Sequence, residues 1–153
     1  MQEMRLLLGV LRTPHAETLD PTAPAPSLDH LSELLTRIDQ AGVRVDLRVE
    51  GTPRALPDSI DRSAYRIIQE ALTNTLKHGG PAHAAVTVRY DHGAVEVEVV
   101  DDGRGPPPGR PAIGGRGLVG MRERVSLYGG QLEVGARPEG GFRVHALLRD
   151  GGP

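Results

Sequence analysis

The spacing of apolar residues predicts helices in the first forty residues of the chain. Residues 3–12 repeat apolar positions at helical intervals, which predicts a short helix. Four prolines then make residues 13–26 a predicted linker. Ser27 or Asp29 is a suitable N-cap for a second helix that ends near Gln40. The apolar residues of these two helices are Met4, Leu7, Leu8 and Leu11 in the first and Leu28, Leu31, Leu34, Leu35 and Ile38 in the second.

The rest of the chain alternates between strand and helix patterns. Apolar and polar residues alternate over 43–50, 84–90, 94–101, 131–136 and 141–148, which predicts five strands. Helical spacing runs from Asp58 or Ser59 to about His78, and again over 118–128. The predicted core side chains of the longer helix are Ile60, Ala64, Ile67, Ile68, Ala71, Leu72 and Leu76. This order predicts an α+β fold, a two-layer α/β sandwich whose mixed, mostly antiparallel sheet is covered by helices on one face.

Composition and charge exclude several functional classes. A length of 153 residues fits one domain with one core, and a net charge of −2 gives no electrostatic reason to expect nucleic acid. The absence of cysteine excludes disulfides and Cys-ligated metals. The sequence shows neither a signal peptide nor an apolar run of about 20 residues. We therefore expect this chain to be cytoplasmic and to make no membrane contact of its own. This expectation does not exclude a longer parent protein that is anchored in a membrane.

The stretch QEALTNTLKHGG, residues 69–80, holds the only asparagine and the only lysine of the chain. On a helix Glu70, Asn74, Lys77 and His78 share one stripe. Amide and carboxylate oxygens suit Mg²⁺, and a compact ammonium suits phosphate in a way that the planar guanidinium of arginine does not. The alternative is an ordinary solvated helix face, and spacing alone does not separate the two.

A glycine-rich stretch over residues 101–120 supplies the second candidate site. Asp101 ends a predicted strand, and Gly103 and Gly105 allow the backbone to turn tightly against a ligand. Gly115 and Gly117 precede or open a helix whose first amides are suited to hold a phosphate. The alternative is a long flexible loop, although such loops inside compact domains are often functional.

Taken together, these motifs resemble the ATP-binding domain of bacterial two-component sensor histidine kinases, in the GHKL superfamily with its Bergerat fold. YRIIQEALTNTLKHG resembles the N box, DDGRG the G1 box, and GGRGLVGMRERV the G2 box. The G-L-x-G-M-x-E-R form is typical of the branch with nitrate/nitrite and thermosensor kinases. The resemblance covers about residues 28–148. It implies ATP and Mg²⁺ as cofactors.

The resemblance also implies roles for the residues of the N box. Asn74 corresponds to the Mg²⁺-ligating asparagine. Glu70 corresponds to the glutamate that positions a metal-bound water or takes part in catalysis. Lys77 and His78 match positions near the phosphates, and we group them with Glu70 as candidate catalytic residues.

Further roles follow for the two glycine-rich motifs. Asp101 corresponds to the aspartate that accepts a hydrogen bond from the adenine amino group, whereas the adjacent Asp102 is expected to face solvent. The remaining candidate nucleotide-binding residues are Gly103 and Gly105 on the adenine side, and Gly115, Gly117 and Leu118 in the lid motif. The sequence departs from the family at Gly141, which Phe142 follows where the family often has Gly-Thr.

The resemblance implies transfer of the ATP γ-phosphoryl group to a histidine on a dimerisation domain, which in turn serves a response regulator. Residues 1–12 then correspond to the tail of that domain, 13–27 to a linker, 28–149 to the catalytic domain and 150–153 to a C-terminal tail. No histidine has the surroundings of an acceptor, so we expect a fragment that does not autophosphorylate; the five read as surface or structural are His15, His30, His83, His92 and His145. Two alternatives are an anti-sigma-factor serine kinase of the same fold and a degenerate nucleotide-binding module.

Overall fold

The computed structural model describes residues 27–78, 82–103, 115–127, 129–138 and 140–150. The helix predicted over 3–12, the linker after it and most of the glycine-rich loop lie outside these ranges. Three α-helices are described: α1 (Leu31–Gln40), α2 (Asp58–His78) and α3 (Gly115–Leu127). The strands are β1 (Val43–Glu50), β2 (Ala82–Asp91), β3 (Ala94–Asp101), β4 (Gln131–Ala136) and β5 (Phe142–Arg149).

The five strands form one sheet in the order β1-β2-β3-β5-β4. β1 runs parallel to β2, because α2 connects them as a crossover, and all other neighbours are antiparallel. The prediction of a mixed, mostly antiparallel sheet in an α+β fold is therefore confirmed.

The helices cover one face of the sheet. Val95, Val97 and Val99 are buried in the core between the layers, whereas Glu96 and Glu98 alternate with them on the opposite, charged face. α2 packs across the central strands, α1 lies against β1, and α3 lies against β4. All the predicted core residues of α2 are buried except Leu76, which is only partly buried and packs at the margin of the core.

The helix ends differ slightly from the sequence prediction. A 3-10 turn over Leu28–His30 precedes α1, and the side chain of Ser27 caps it by accepting from the Asp29 amide. α3 begins at Gly115 rather than near Leu118. Its first turn is Gly-Arg-Gly, so apolar spacing gives no signal there. No helix within the described ranges is long and apolar enough to cross a membrane.

Candidate functional site

One stripe of α2 carries three of the four predicted polar groups in described positions. Glu70 and Asn74 are half-buried, and Lys77 is exposed at the end of the helix. Burial raises the pKa of the Glu70 carboxyl, and the nearby positive charge of Lys77 lowers it in part. The stripe therefore presents a carboxylate with raised proton affinity beside a neutral amide and a cation.

Asp101 lies at the last position of β3 and is only 6% exposed. Its carboxylate is held from two sides. The Thr75 hydroxyl donates to Oδ2 over 2.8 Å, and the Gly103 amide donates to Oδ1 over 2.9 Å. The Thr75 hydroxyl also lies 3.1 Å from the carbonyl oxygen of Ala71. Because Thr75 follows Asn74 on α2, the bond between Thr75 and Asp101 fixes the end of β3 relative to the polar stripe of α2.

The backbone of Asp101 is held by the connection between β4 and β5. Arg137 Nη1 donates to the Asp101 carbonyl over 3.0 Å. Gly141 has a φ of +92°, and a Cβ at this position would lie 1.9 Å from the same carbonyl oxygen. Only glycine permits this approach, which accounts for Gly141 without reference to the residue that follows it.

Asp102 turns outward, as predicted. Its side chain is exposed, and its Oδ1 accepts from the His83 amide over 2.7 Å. The Asp102 amide donates in return to the His83 carbonyl over 3.1 Å. Asp102 therefore extends the pairing with β2 one residue past the end of β3, to His83 near the start of β2, and leaves Asp101 as the inward carboxylate.

The lid motif is described only at its helical end. Gly115 begins α3, Gly117 lies in its first turn, and α3 packs beside α2. Gly105 and the side chains of His78 and Leu118 lie outside the described part of the chain. Their predicted roles therefore remain predictions.

Sequence reasoning missed Thr75 and Arg137 as partners of Asp101. Thr75 is buried although most of its neighbours in the sequence are polar. Its position next to the predicted site residue Asn74 was the available signal that it belongs to the site. The sequence around Arg137 carries no such signal, because a contact across 36 residues depends on how the β4–β5 connection meets β3.

The donor set of the α2 stripe fits Mg²⁺ better than a softer metal. No group of three or more His, Cys, Asp or Glu side chains able to hold a metal occurs within the described ranges. Magnesium commonly takes one or two protein oxygens and fills its shell with water and phosphate. Glu70 and Asn74, which are both half-buried residues, carry oxygens of that kind.

The site thus lies where the end of a mixed five-stranded sheet meets a covering helix, with the buried Asp101 carboxylate bonded to α2. Residues 60–151 match the family described as "Histidine kinase-, DNA gyrase B-, and HSP90-like ATPase". The chain belongs to this family, and the resemblance to its sensor histidine kinase members is confirmed.

Several curated relatives are sensor kinases. The chain is 32% identical over 146 residues to the sensor histidine kinase LnrJ of Bacillus subtilis, covering 95% of this chain and 34% of LnrJ. It is 33% identical to the signal transduction histidine-protein kinase/phosphatase DegS of Brevibacillus brevis, covering 69% of this chain and 28% of DegS. It is 32% identical to the nitrate/nitrite sensor protein NarX of Escherichia coli, covering 67% of this chain and 17% of NarX. The chain thus spans about a third or less of these relatives.

Solved structures agree on the fold. The histidine kinase domain of the blue-light activated histidine kinase EL346 from Erythrobacter litoralis aligns with a TM-score of 0.61 at 24% identity. That alignment covers 96% of this chain and 79% of the other. The chain is therefore a histidine kinase-type ATP-binding domain by family and by fold.

Proposed function

We propose that this chain is the catalytic part of a sensor histidine kinase that transfers the γ-phosphoryl group of ATP to a histidine on a separate dimerisation domain. One observation carries the proposal. The buried Asp101 carboxylate is bonded to Thr75 on the same helix that presents Asn74 and Glu70. One rigid helix thereby fixes the spacing between a base-recognition group and a phosphate-side group.

Asp101 would recognise adenine. An ionised carboxylate has about four acceptor positions, and Thr75 and Gly103 use two of them. A free position on this buried carboxylate can accept from the 6-amino group of adenine. Gly103 leaves space beside this carboxylate because it carries no side chain, and Gly105 belongs to the same proposed adenine-binding motif.

Asn74 and Glu70 would hold Mg²⁺, with the Asn74 amide oxygen as a direct ligand and Glu70 acting through a water. When bound, the metal neutralises charge on the phosphates. Lys77 supplies a further cation from the end of α2. The amides near Gly115 and Gly117, in the first turn of α3, are suited to a phosphate oxygen. His78 and Leu118 complete the proposed surroundings of the nucleotide.

Glu70 is the proposed base. During transfer, the bond from the γ-phosphorus to its bridging oxygen breaks and a bond to an imidazole nitrogen forms. The acceptor imidazole then loses a proton, which the Glu70 carboxylate is suited to accept, because burial raises its pKa. The main contribution of the other residues is positioning and charge neutralisation.

The proposed partners are the dimerisation domain of the parent kinase and, through it, a response regulator in the cytoplasm. We propose that the chain does not phosphorylate itself without that domain. None of the described histidines resembles an acceptor: His30 bonds within the Ser27 cap, and His145 lies on β5 near Glu96. His83 and His92 lie at an exposed strand end and in an exposed turn.

Calorimetric titration tests the proposal. ADP and a non-hydrolysable ATP analogue are titrated with and without Mg²⁺. We expect binding of both nucleotides, with Mg²⁺ strengthening that of the triphosphate. Phosphotransfer is then tested by supplying a separate acceptor domain. Failure of both nucleotides to bind would refute the proposal and favour the degenerate module.

A further inference from the structure

β1 forms one edge of the sheet. It is hydrogen-bonded to β2 on one side, and no described strand pairs with its other side. The strand is eight residues long, so it presents a long row of backbone donors and acceptors that other proteins usually shield.

Within the described part of the chain, the apolar face of β1 is covered only along its first half. Val43 is fully buried and α1 lies against this strand, but Leu47 and Val49 are 42% and 48% exposed. On the other face, the side chains alternate in charge and are exposed or half-buried; they are Arg44, Asp46, Arg48 and Glu50. As far as residues 27–78 and the other described ranges show, both faces of the strand are therefore available to a partner that adds a strand to this edge.

We propose that two copies of this chain pair through β1 as antiparallel strands, related by a two-fold axis at Leu47. Leu47 then lies opposite Leu47 of the second copy, and Val45 opposite its Val49. Directly opposed residues in antiparallel strands point to the same face, so apolar side chains meet apolar ones. Such an interface is isologous and closes after two copies.

The charges of the strand are self-complementary in this register. Asp46 lies opposite Arg48 of the second copy, and Arg44 lies opposite its Glu50. The two-fold axis repeats both ion pairs. Glu50 already accepts from Arg89 on β2 over 2.8 Å, so it would sit between two cations. Each exposed pair contributes little alone, but together they select the register.

Other registers are disfavoured by the same residues. Sliding one strand by two residues sets Asp46 against Asp46 in one direction and Arg48 against Arg48 in the other. A slip of one residue turns apolar side chains toward the charged face. A parallel pairing in register places each charge opposite its own copy. The sequence RVDLRVE thus has one full-length antiparallel solution.

The covered and uncovered halves of the strand also complement each other. The two-fold axis places the half-buried Val45 of the second copy beside the exposed Val49. The α1 helices consequently lie at opposite ends of the paired strands. A single strand pair is small for a stable complex, so we expect weak, concentration-dependent association that salt weakens further.

Disulfide cross-linking tests the axis directly, because the chain contains no cysteine. In Leu47→Cys, the two cysteines lie opposite each other with Cα atoms about 4.5–5.5 Å apart, which a disulfide can bridge. Val49→Cys is the matched control: its exposure is similar, but its own mate lies about 13 Å away along the strand. We expect a covalent dimer from Leu47→Cys, little from Val49→Cys, and recovery in the double variant Val45→Cys/Val49→Cys. Equal cross-linking at 47 and 49, or preferential cross-linking at 49, would overturn the proposed register.

Charge reversal tests the ion pairs by sedimentation velocity on the whole chain. We expect Asp46→Arg and Arg48→Asp each to be monomeric at concentrations where the unaltered chain associates. Mixing these two variants should restore a dimer, because each supplies the charge that the other lacks. Arg62→Asp, which makes the same charge change as Arg48→Asp on an exposed position of α2, should leave association unaltered. The proposal would be refuted if the chain stayed monomeric up to millimolar concentration, or if the single variants associated like the unaltered chain. Binding of ADP by each variant checks independently that the variant is folded.

Discussion

Replacing Thr75 by valine removes the hydroxyl that holds Asp101 while keeping the shape of the side chain. The bond that is lost spans 2.8 Å to a carboxylate that is 6% exposed. Hydrogen bonds to charged groups contribute about 1.5–3 kcal/mol, so we expect a loss of unfolding free energy in that range. The Gly103 amide would remain the only described donor to the Asp101 carboxylate.

The same substitution should weaken nucleotide binding, because the Asp101 carboxylate is no longer held in the orientation that suits the 6-amino group of adenine. A loss of about 1.4 kcal/mol corresponds to about a tenfold rise in Kd for ADP. The comparison that isolates the mechanism uses purine riboside diphosphate, which lacks the 6-amino group. We expect Thr75→Val to weaken ADP but to leave the affinity for this analogue almost unaltered.

Thr73→Val is the matched control for this experiment. Thr73 is also buried on α2, two residues earlier, and makes no hydrogen bond to Asp101 among those described. We expect Thr73→Val to keep ADP affinity, and Thr75→Ser, which retains the hydroxyl, to recover most of it. If Thr75→Val weakened the binding of ADP and of the analogue equally, Thr75 would not orient Asp101 toward the 6-amino group. Its role would then be one of general packing.

Other perturbations address the remaining parts of the site. Asp101→Asn should weaken ATP and ADP alike in calorimetry, and a selective loss of ATP would contradict its assignment to adenine. Asn74→Ala should remove the Mg²⁺-dependent part of ATP affinity and spare ADP measured without metal; unaltered Mg²⁺ dependence would show the ligand assignment to be wrong. Glu70→Gln should raise Tm at neutral pH, because a carboxyl whose folded pKa is raised above 4.5 destabilises the fold once ionised. That gain should disappear as pH falls below about 4.5, and a gain that persists in acid would exclude ionisation as its cause. Gly141→Ala should destabilise by several kcal/mol in denaturant titrations, since it combines a positive φ with a Cβ contact to backbone at 1.9 Å.

Local sequence patterns predicted the elements of the fold well, because each depends on spacing within one segment. The alternation of Val95, Val97 and Val99 identified the buried face of β3, and the stripe of Glu70 and Asn74 followed from the helical period alone. The start of α3 was placed too late because glycine carries no apolar signal.

The contacts around Asp101 were not predictable in the same way. Thr75 reaches it across 26 residues and Arg137 across 36. Both contacts depend on how α2 and the β4–β5 connection meet the end of β3, which no local period encodes. The motif resemblance pointed to Asp101 but not to Thr75 and Arg137, since these two partners lie outside its own motif.

The bond from the Gly103 amide ties the backbone after β3 to the side chain of Asp101. The same carboxylate is the group proposed to bind the base. If Asp101 binds the base as proposed, a base that draws the carboxylate toward itself also pulls on the Gly103 amide. By thermodynamic reciprocity, any position of Gly103 that favours the base is favoured by the base to the same extent. The proposed recognition of the base and the backbone conformation at Gly103 therefore share one free-energy balance.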